Sequence, residues 1–263
     1  MNNNSIQSIV LLGAGNVATH LGEALSQNNY SIVQIFSRTE QSGSELANKL
    51  GCPFITDLQK LNQEADLYIF AVSDDAIPNI LKLANFQNKK VIHTAGSVPL
   101  EIFADKAKAY GVFYPLQTFT KTHKPDFSQI PILLESNNTE FLEEITNLAG
   151  TLSKYIYNAN SEERQIFHIS AVFTCNFTNH MCSIGESLLS EYGYSFSLLY
   201  PLIKETLEKI FTGSPFQNQT GPAIRNDNTI INKHQQQLAN KPDLQKLYTT
   251  ITNHIKHFHQ KNN

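Results

Sequence analysis

Short apolar runs alternate with helical patterns in the first part of the chain. The runs are rich in Ile, Val, Leu and aromatic residues, and they predict strands at 8–12, 31–36, 67–72, 90–95, 111–115, 131–136 and 154–158. The segments between them predict helices at 17–27, 41–50, 76–84, 100–110 and 139–149. Because strands that are apolar along their whole length must be covered on both faces, this pattern indicates an α/β fold with a mostly parallel sheet.

The pattern changes after Asn160. Ser161 can cap a helix whose first turn holds Glu162 and Glu163, and no helix breaker follows before Gly185. Further helices are predicted at 195–211, 227–239 and 242–258, without a convincing strand among them. We therefore expect an α/β domain at 1–158, followed by an all-α domain at 159–263.

A glycine-rich turn follows the first predicted strand, in the segment IVLLGAGNVATHLGEAL at 9–25. Gly13 permits a tight turn, and Gly15 allows the backbone to approach a pyrophosphate. A glycine turn without a ligand is the alternative, but the preceding strand, the following helix and the length of the βαβ unit favour a dinucleotide site of Rossmann type. The predicted cofactor-binding residues of this turn are Gly13, Ala14, Gly15, Asn16 and Val17.

The end of the second strand indicates which dinucleotide is bound. An NAD site usually carries an acidic residue there, whereas this chain has Ser37, Arg38 and Thr39, with no acid before Glu40. The guanidinium of Arg38 can bind a 2′-phosphate, and the two hydroxyls can add hydrogen bonds. The sequence thus favours NADP over NAD, although a solvated surface charge is the alternative for Arg38.

Composition narrows the classes of partner. Apolar residues make up 41% of the chain, the formal net charge is -3, and no block of Lys or Arg is present, which argues against nucleic acid as a partner. The longest apolar runs are too short to span a membrane, and the start MNNNSIQS lacks the features of a secretory signal. The three cysteines have no metal-type spacing. We expect a cytoplasmic protein with reduced thiols and no metal site.

Several motifs together resemble a known superfamily. These are GAGNVATHL, FSRT, AVSDDAI, HTAGS, GVFYPLQTF, FHISAVFTCNFTNHM and TGPAIRNDNTIINKH, which span nearly the whole chain. They resemble the Rossmann-like proteins that include pyrroline-5-carboxylate reductase, deazaflavin-dependent NADP reductase and the β-hydroxyacid dehydrogenases. Within that group the chain is most similar to a bacterial family described as NADP oxidoreductases with a helical C-terminal domain. The resemblance implies a cofactor on the N-terminal domain, an active site against the helical domain, and a homodimer.

Polar residues follow the predicted strands at the sheet edge where ligands of parallel sheets bind. Asp74 can lie near the cofactor or cap the next helix, and His93 can be a catalyst or a buried, hydrogen-bonded residue at a strand end. Tyr114 and Pro115 are expected to shape the floor of the pocket. The residues predicted here to bind the cofactor are Ala71, Val72, Ser73 and His93, and Ser97 is predicted to bind substrate.

Polar residues also interrupt the long apolar helix predicted from Ser161. With about 100° per residue, Asn179 lies about 20° and Asn176 about 80° from His168. Because buried polar groups need partners, these residues contact either a substrate or a structural network inside a dimer interface. We predict His168 as proton donor, Asn176 as a second catalytic residue, and Asn179 as a substrate contact.

The segment TGPAIRND at 220–227 is the last candidate. Arg225 can bind a carboxylate or phosphate, and Asp227 can orient Arg225 or cap the next helix. Thr220 and Arg225 are predicted to bind substrate, with a purely structural turn as the alternative.

Two functions fit these features. The first is a reductase that transfers hydride between NADPH and a small carbonyl or imine substrate held between the two domains. The second is a non-catalytic NADP-binding sensor or partner protein, because the catalytic helix lysine of the β-hydroxyacid dehydrogenases has no counterpart between Lys154 and Lys204.

Overall fold

A computed structural model describes residues 6–261. Most of the segment MNNNSIQS, which we do not expect to be a secretory signal, lies outside these residues. Within these residues eight strands form one sheet in the order β3-β2-β1-β4-β5-β6-β7-β8. The strands are β1 (Ser8–Leu12), β2 (Ser31–Phe36), β3 (Phe54–Ile55), β4 (Leu67–Phe70), β5 (Phe86–His93), β6 (Ala107–Pro115), β7 (Ile132–Ser136) and β8 (Ile156–Asn158). Only β6 and β7 pair antiparallel, so the prediction of a mostly parallel sheet is confirmed.

Helices cover both faces of the sheet. One core contains Leu21, Leu46 and Ile145 from three helices, and a second core on other residues of the same strands contains Ile77 and Ile80. This double cover explains why the central strands are apolar at nearly every position. The helices of this part are α1 (Asn16–Gln27), α2 (Glu40–Leu50), α3 (Ile77–Leu83), α4 (Thr139–Leu152) and α5 (Ser161–Ala171).

The helix predicted at 100–110 is wrong. Only Leu100–Phe103 forms a short 3₁₀ turn, and Asp105 then adopts a left-handed backbone with φ of 58°. A helix cannot continue through that conformation, and β6 begins at Ala107 instead. Ala109 is buried between the more exposed Lys108 and Tyr110, and the helical prediction missed this alternation, which is typical of a strand.

The second part of the chain is helical, as predicted. Helix α5 continues without a break into a wide π turn, Val172–Phe177, and then into α6 (Thr178–Ser190). The remaining helices are α7 (Tyr200–Thr212), α8 (Asn228–Gln237) and α9 (Pro242–Lys261). No helix within residues 6–261 has both the length and the apolar character needed to cross a bilayer.

The chain forms two compact units. The first reaches His180 and the second begins at Met181. The first unit therefore contains helix α5 and the π turn as well as the sheet, although the change from strands to helices occurs between Asn158 and Ser161.

Gly13 is required by the fold itself. Its φ is 126°, and a Cβ at this position would lie 2.2 Å from the carbonyl oxygen of Ala71. We expect Gly13→Ala to lower the free energy of unfolding by at least about 2 kcal/mol, because backbone strain and a backbone clash act together. Urea unfolding followed by circular dichroism measures this change.

Gly15→Ala is the matched control. Gly15 has a φ of -82°, and nothing lies within 4 Å of the position that a Cβ would take there. We expect a change in stability within about 0.5 kcal/mol. Equal stability of the two variants would contradict the structural role of Gly13.

Candidate functional site

The GAGNVA turn presents a helix N-terminus to open space. The Gly13 amide donates to the carbonyl of Phe36 at 2.8 Å, so the turn that follows β1 is held against the end of β2. Gly15 then precedes the first turn of α1, and the space next to its Cα is open. The amides of this turn and the positive end of the helix can therefore receive an anionic group.

The side chain of Asn16 is directed elsewhere. Its amide nitrogen donates to the Phe119 carbonyl at 2.8 Å. One turn later, His20 Nε2 bonds the Thr120 carbonyl at 2.8 Å, and its ring stacks on Phe119. The side chain of Asn16 therefore holds the segment after β6 against α1. Only its backbone is available for the predicted cofactor contact.

The segment after β2 contains one buried hydroxyl and two exposed side chains. The Ser37 side chain is buried, and its hydroxyl donates to the Thr39 carbonyl at 2.9 Å. Arg38 and Thr39 are exposed just before α2. The Arg38 guanidinium is thus open to solvent, whereas the Ser37 hydroxyl is used within the turn.

A side-chain hydrogen bond joins the ends of β4 and β5. The Ser97 hydroxyl donates to Asp74 Oδ2. Ala71 is buried against the GAGNVA turn, while Ser73 is exposed and lies at the start of a 3₁₀ turn without a side-chain cap. Of the two roles considered for Asp74, helix capping is not observed, because its carboxylate accepts from Ser97.

His93 lies beneath the surface. Its side chain is fully buried, and Nδ1 accepts from the Ala95 amide at 3.2 Å. Burial and, to a smaller extent, the charge of Arg164 lower the pKa of His93 to about 3, against an opposing contact with the Pro99 backbone. The ring is therefore neutral and supports the turn after β5. Of the two roles considered for His93, this is the buried, hydrogen-bonded residue at a strand end.

A buried arginine anchors helix α5. Arg164 Nη1 donates to Glu135 Oε2 at 2.5 Å, and Nη2 donates to the Val98 carbonyl at 2.6 Å and to the Ser161 hydroxyl at 3.2 Å. Glu135 also accepts from the Ser161 amide at 3.0 Å. These bonds tie the start of α5 to β7 and to the segment after β5. Arg164 was not among the residues predicted from the sequence, because its neighbours in the chain give no sign that it is buried.

One turn after Arg164, His168 meets Tyr114 from β6. The Tyr114 hydroxyl lies 3.1 Å from His168 Nδ1. Gly96 packs directly against both rings, since a Cβ on it would lie 2.7 Å from His168 Nδ1 and 2.8 Å from Tyr114 Cζ. Burial raises the pKa of Tyr114, with the Arg164 charge opposing, so the phenol keeps its proton near neutral pH.

The π turn changes the face on which Asn176 and Asn179 lie. A π turn holds one more residue than an α turn, so side chains after it are rotated back by about 100°. Asn176, near the end of this turn, moves from the expected angle of about 80° to nearly the direction of His168. Asn179 moves to about 80° on the opposite side of that direction. The uniform helix assumed from the sequence is wrong here, and the change favours Asn176 over Asn179 as a neighbour of His168.

The second unit holds the other predicted substrate residues. Thr220, Pro222 and Ala223 line a mostly apolar cavity of about 280 Å³ within this unit. Arg225 is exposed, and the Asp227 carboxylate accepts from the Ile230 amide at 3.2 Å as the cap of α8. Asp227 therefore caps a helix, which was one of its two predicted roles.

A metal centre is not indicated. Within residues 6–261, no group of three or more His, Cys, Asp and Glu side chains is arranged to hold one ion. The three cysteines form no disulfide.

Two family descriptions match the chain. Residues 8–96 match "NADP oxidoreductase coenzyme F420-dependent", and residues 130–255 match "Domain of unknown function (DUF2520)". No curated protein matches the sequence.

Solved structures match nearly the whole chain. A protein from Bacteroides fragilis, described as a putative NADP oxidoreductase, is 41% identical, with 97% of this chain and 99% of that chain covered and a TM-score of 0.90. A pyrroline-5-carboxylate reductase from Streptococcus pyogenes is 16% identical, covers 97% and 99%, and has a TM-score of 0.58. An imine reductase from Myxococcus stipitatus in complex with NADP+ is 13% identical, covers 95% and 93%, and has a TM-score of 0.61. The last two likenesses concern the fold.

The Arg164–Glu135 pair gives a test of how the site is supported. We expect Glu135→Ala to lower the free energy of unfolding by about 3–5 kcal/mol, because it leaves a fully buried guanidinium without its counter-charge. Denaturant unfolding measures this loss. Glu143→Ala, at an exposed position of α4, is the control and is expected to change stability by less than about 0.5 kcal/mol. Similar values for both variants would show that the ion pair is not a main support.

Proposed function

Since the chain belongs to the NADP oxidoreductase family represented by the Bacteroides fragilis protein, we propose that it is an NADPH-dependent reductase of a small carbonyl or imine compound. One observation carries this proposal. Successive contacts along the carboxyl edge of the sheet connect the GAGNVA turn with the Tyr114–His168 pair. These contacts join Gly13 to Ala71, Asp74 to Ser97, and Gly96 to the two rings of the pair.

The residues of the first unit fit the cofactor. The open space at Gly15 and the amides of the first turn of α1 would hold the pyrophosphate. The exposed Arg38 would bind the 2′-phosphate, with Thr39 beside it. Val72 and Ser73 would border the cofactor at the end of β4. When bound, NADPH supplies the hydride for the reduction.

His168 is proposed as the group that gives the proton. Its Nδ1 is occupied by Tyr114, so Nε2 is the nitrogen left for a substrate oxygen or nitrogen. Asn176, brought toward the same face by the π turn, would hold the substrate or the nicotinamide amide. Ser97, Asn179, Thr220 and Arg225 are proposed as further substrate contacts.

We also propose that the protein is a cytoplasmic homodimer, divided in function at 158/159. The dimer is supported by large apolar side chains that are exposed on the helices of this chain, such as Phe173 at 62%, Leu202 at 64% and Phe211 at 81%. The helical domain 159–263 would then serve in dimerisation, and domain 1–158 in cofactor binding. Neither nucleic acid nor membrane is proposed as a partner.

A non-catalytic NADP sensor is the second candidate. It is favoured by the lack of lysine between Lys154 and Lys204, where β-hydroxyacid dehydrogenases carry a catalytic one. NADPH oxidation with a panel of imines, ketones and aldehydes separates the two candidates. We expect turnover with at least one compound, and a loss of at least about 100-fold in kcat for His168→Gln. Tight NADP binding without any turnover would favour the sensor.

The phosphate turn gives a direct binding test. We expect Gly15→Val to abolish NADP binding in calorimetry, because its side chain would fill the space that the pyrophosphate needs. Circular dichroism should show an intact fold, since nothing lies within 4 Å of the new Cβ. A folded variant that still binds NADP would place the phosphates elsewhere.

Arg38 gives a test of cofactor choice. We expect Arg38→Ala to weaken NADP binding by about 10- to 100-fold, because a charge-assisted contact with the 2′-phosphate is lost. NAD lacks this phosphate and should bind the variant and the parent alike. Lys82→Ala, on α3, is a charge-matched control. Unchanged NADP affinity in Arg38→Ala would rule out the assignment.

A further inference from the structure

The Tyr114–His168 contact joins two segments that are 54 residues apart in the chain. The hydroxyl and Nδ1 are 3.1 Å apart, and the two rings meet edge to face with centroids 6.1 Å apart. A phenol can donate to an imidazole nitrogen, whereas a neutral imidazole nitrogen without hydrogen can only accept. When His168 is neutral, donation by Tyr114 places the ring hydrogen on Nε2.

Gly96 keeps this contact close. A methyl group on Gly96 would be too close to both partners, 2.7 Å from Nδ1 and 2.8 Å from Cζ. The turn that carries Gly96 is held by buried His93 from below and by Arg164, which binds the Val98 carbonyl. Because Arg164 also fixes α5 one turn before His168, both sides of the contact rest on one buried network.

Burial keeps the phenol protonated against the opposing charge of Arg164. On α5 and β7, Arg164 and Glu135 form an ion pair with each other, and Asp74 accepts from Ser97 on the turn. His93 is neutral, and burial raises the pKa of Tyr114. Tyr114 therefore keeps a proton that it can give to a stronger base.

We propose that Tyr114 is a proton-relay residue that supplies His168, so that neutral His168 can serve as the acid of the proposed reduction. As the substrate carbon accepts hydride, the electron pair of its C=O or C=N bond moves to the oxygen or nitrogen. That atom takes the hydrogen of His168 Nε2, and Nδ1 takes the hydrogen of Tyr114. After product leaves, solvent gives a proton to Nε2, and Nδ1 returns its hydrogen to the Tyr114 oxygen, which restores the first state. An alkoxide is a far stronger base than a phenolate, whose conjugate acid has an ordinary pKa of about 10, so the transfer runs toward product.

The inference rests on the proposed function for its chemistry, but the pair can be tested without substrate or cofactor. ¹⁵N NMR of the imidazole rings near pH 8 reports which nitrogen carries the hydrogen, and loss of one signal set in His168→Gln assigns His168. We expect the parent to hold the hydrogen on Nε2. Tyr114→Phe should lose this preference, and Gly96→Ala should lose it by separating the partners while both are retained.

Tyr110→Phe is the matched control. It makes the same change on the same strand, at a ring that packs on Phe103 and is not part of the pair. We expect its His168 spectrum to equal that of the parent. A parent with the hydrogen on Nδ1, or an unchanged spectrum in Tyr114→Phe, would overturn the proposal.

Turnover provides the second readout. With a compound that the parent reduces, we expect Tyr114→Phe to lower kcat by about 10²- to 10⁴-fold, with little change in KM. A Tyr114→Phe variant with parental kcat at pH 8 would overturn the relay. If no compound is reduced, the proposed function fails, and the NMR result alone decides whether the pair exists.

Discussion

The burial of one guanidinium constrains the whole site. Arg164 is fully enclosed, and a charge in that position is tolerable only with a counter-charge and with acceptors for its terminal nitrogens. Its Nε has no hydrogen-bond partner among the described residues. Glu135, the Val98 carbonyl and the Ser161 hydroxyl supply those acceptors from a strand, a turn and the helix start. The need to satisfy one side chain thus fixes three backbone segments relative to each other. The positions of Gly96 and His168 follow from that arrangement.

Local sequence patterns carry the predictions for cofactor binding. The phosphate turn needs glycine at fixed spacing between a strand and a helix, and selection between dinucleotides depends on one or two residues after the next strand. The roles proposed for Gly15 and Arg38 therefore rest on neighbouring residues alone. The parallel sheet was predictable for the same reason, since strands covered on both faces are apolar along their length.

His168 and Tyr114 were each singled out from the sequence, but their contact could not be predicted in this way. Tyr114 and His168 meet only because β6 and α5 are brought together by the fold, and neither segment carries a motif for the other. The π turn escapes detection because VFTCNF has no residue type that forbids an ordinary helix. The left-handed Asp105 likewise ended a helix that periodicity alone would continue. In each case a tertiary contact or a single backbone conformation outweighed the local preference.

The π turn also affects how this helix can be compared with those of distant relatives. A helix with one additional residue in a single turn presents its later side chains as if the chain had been shifted by one position. A relative with a regular helix would therefore offer, at the same aligned position after Phe177, a side chain on a different face. Residues of this helix should therefore be matched to those of a relative by the direction of their side chains. The residue that takes the place of a relative's catalytic side chain can be one position away in the sequence alignment.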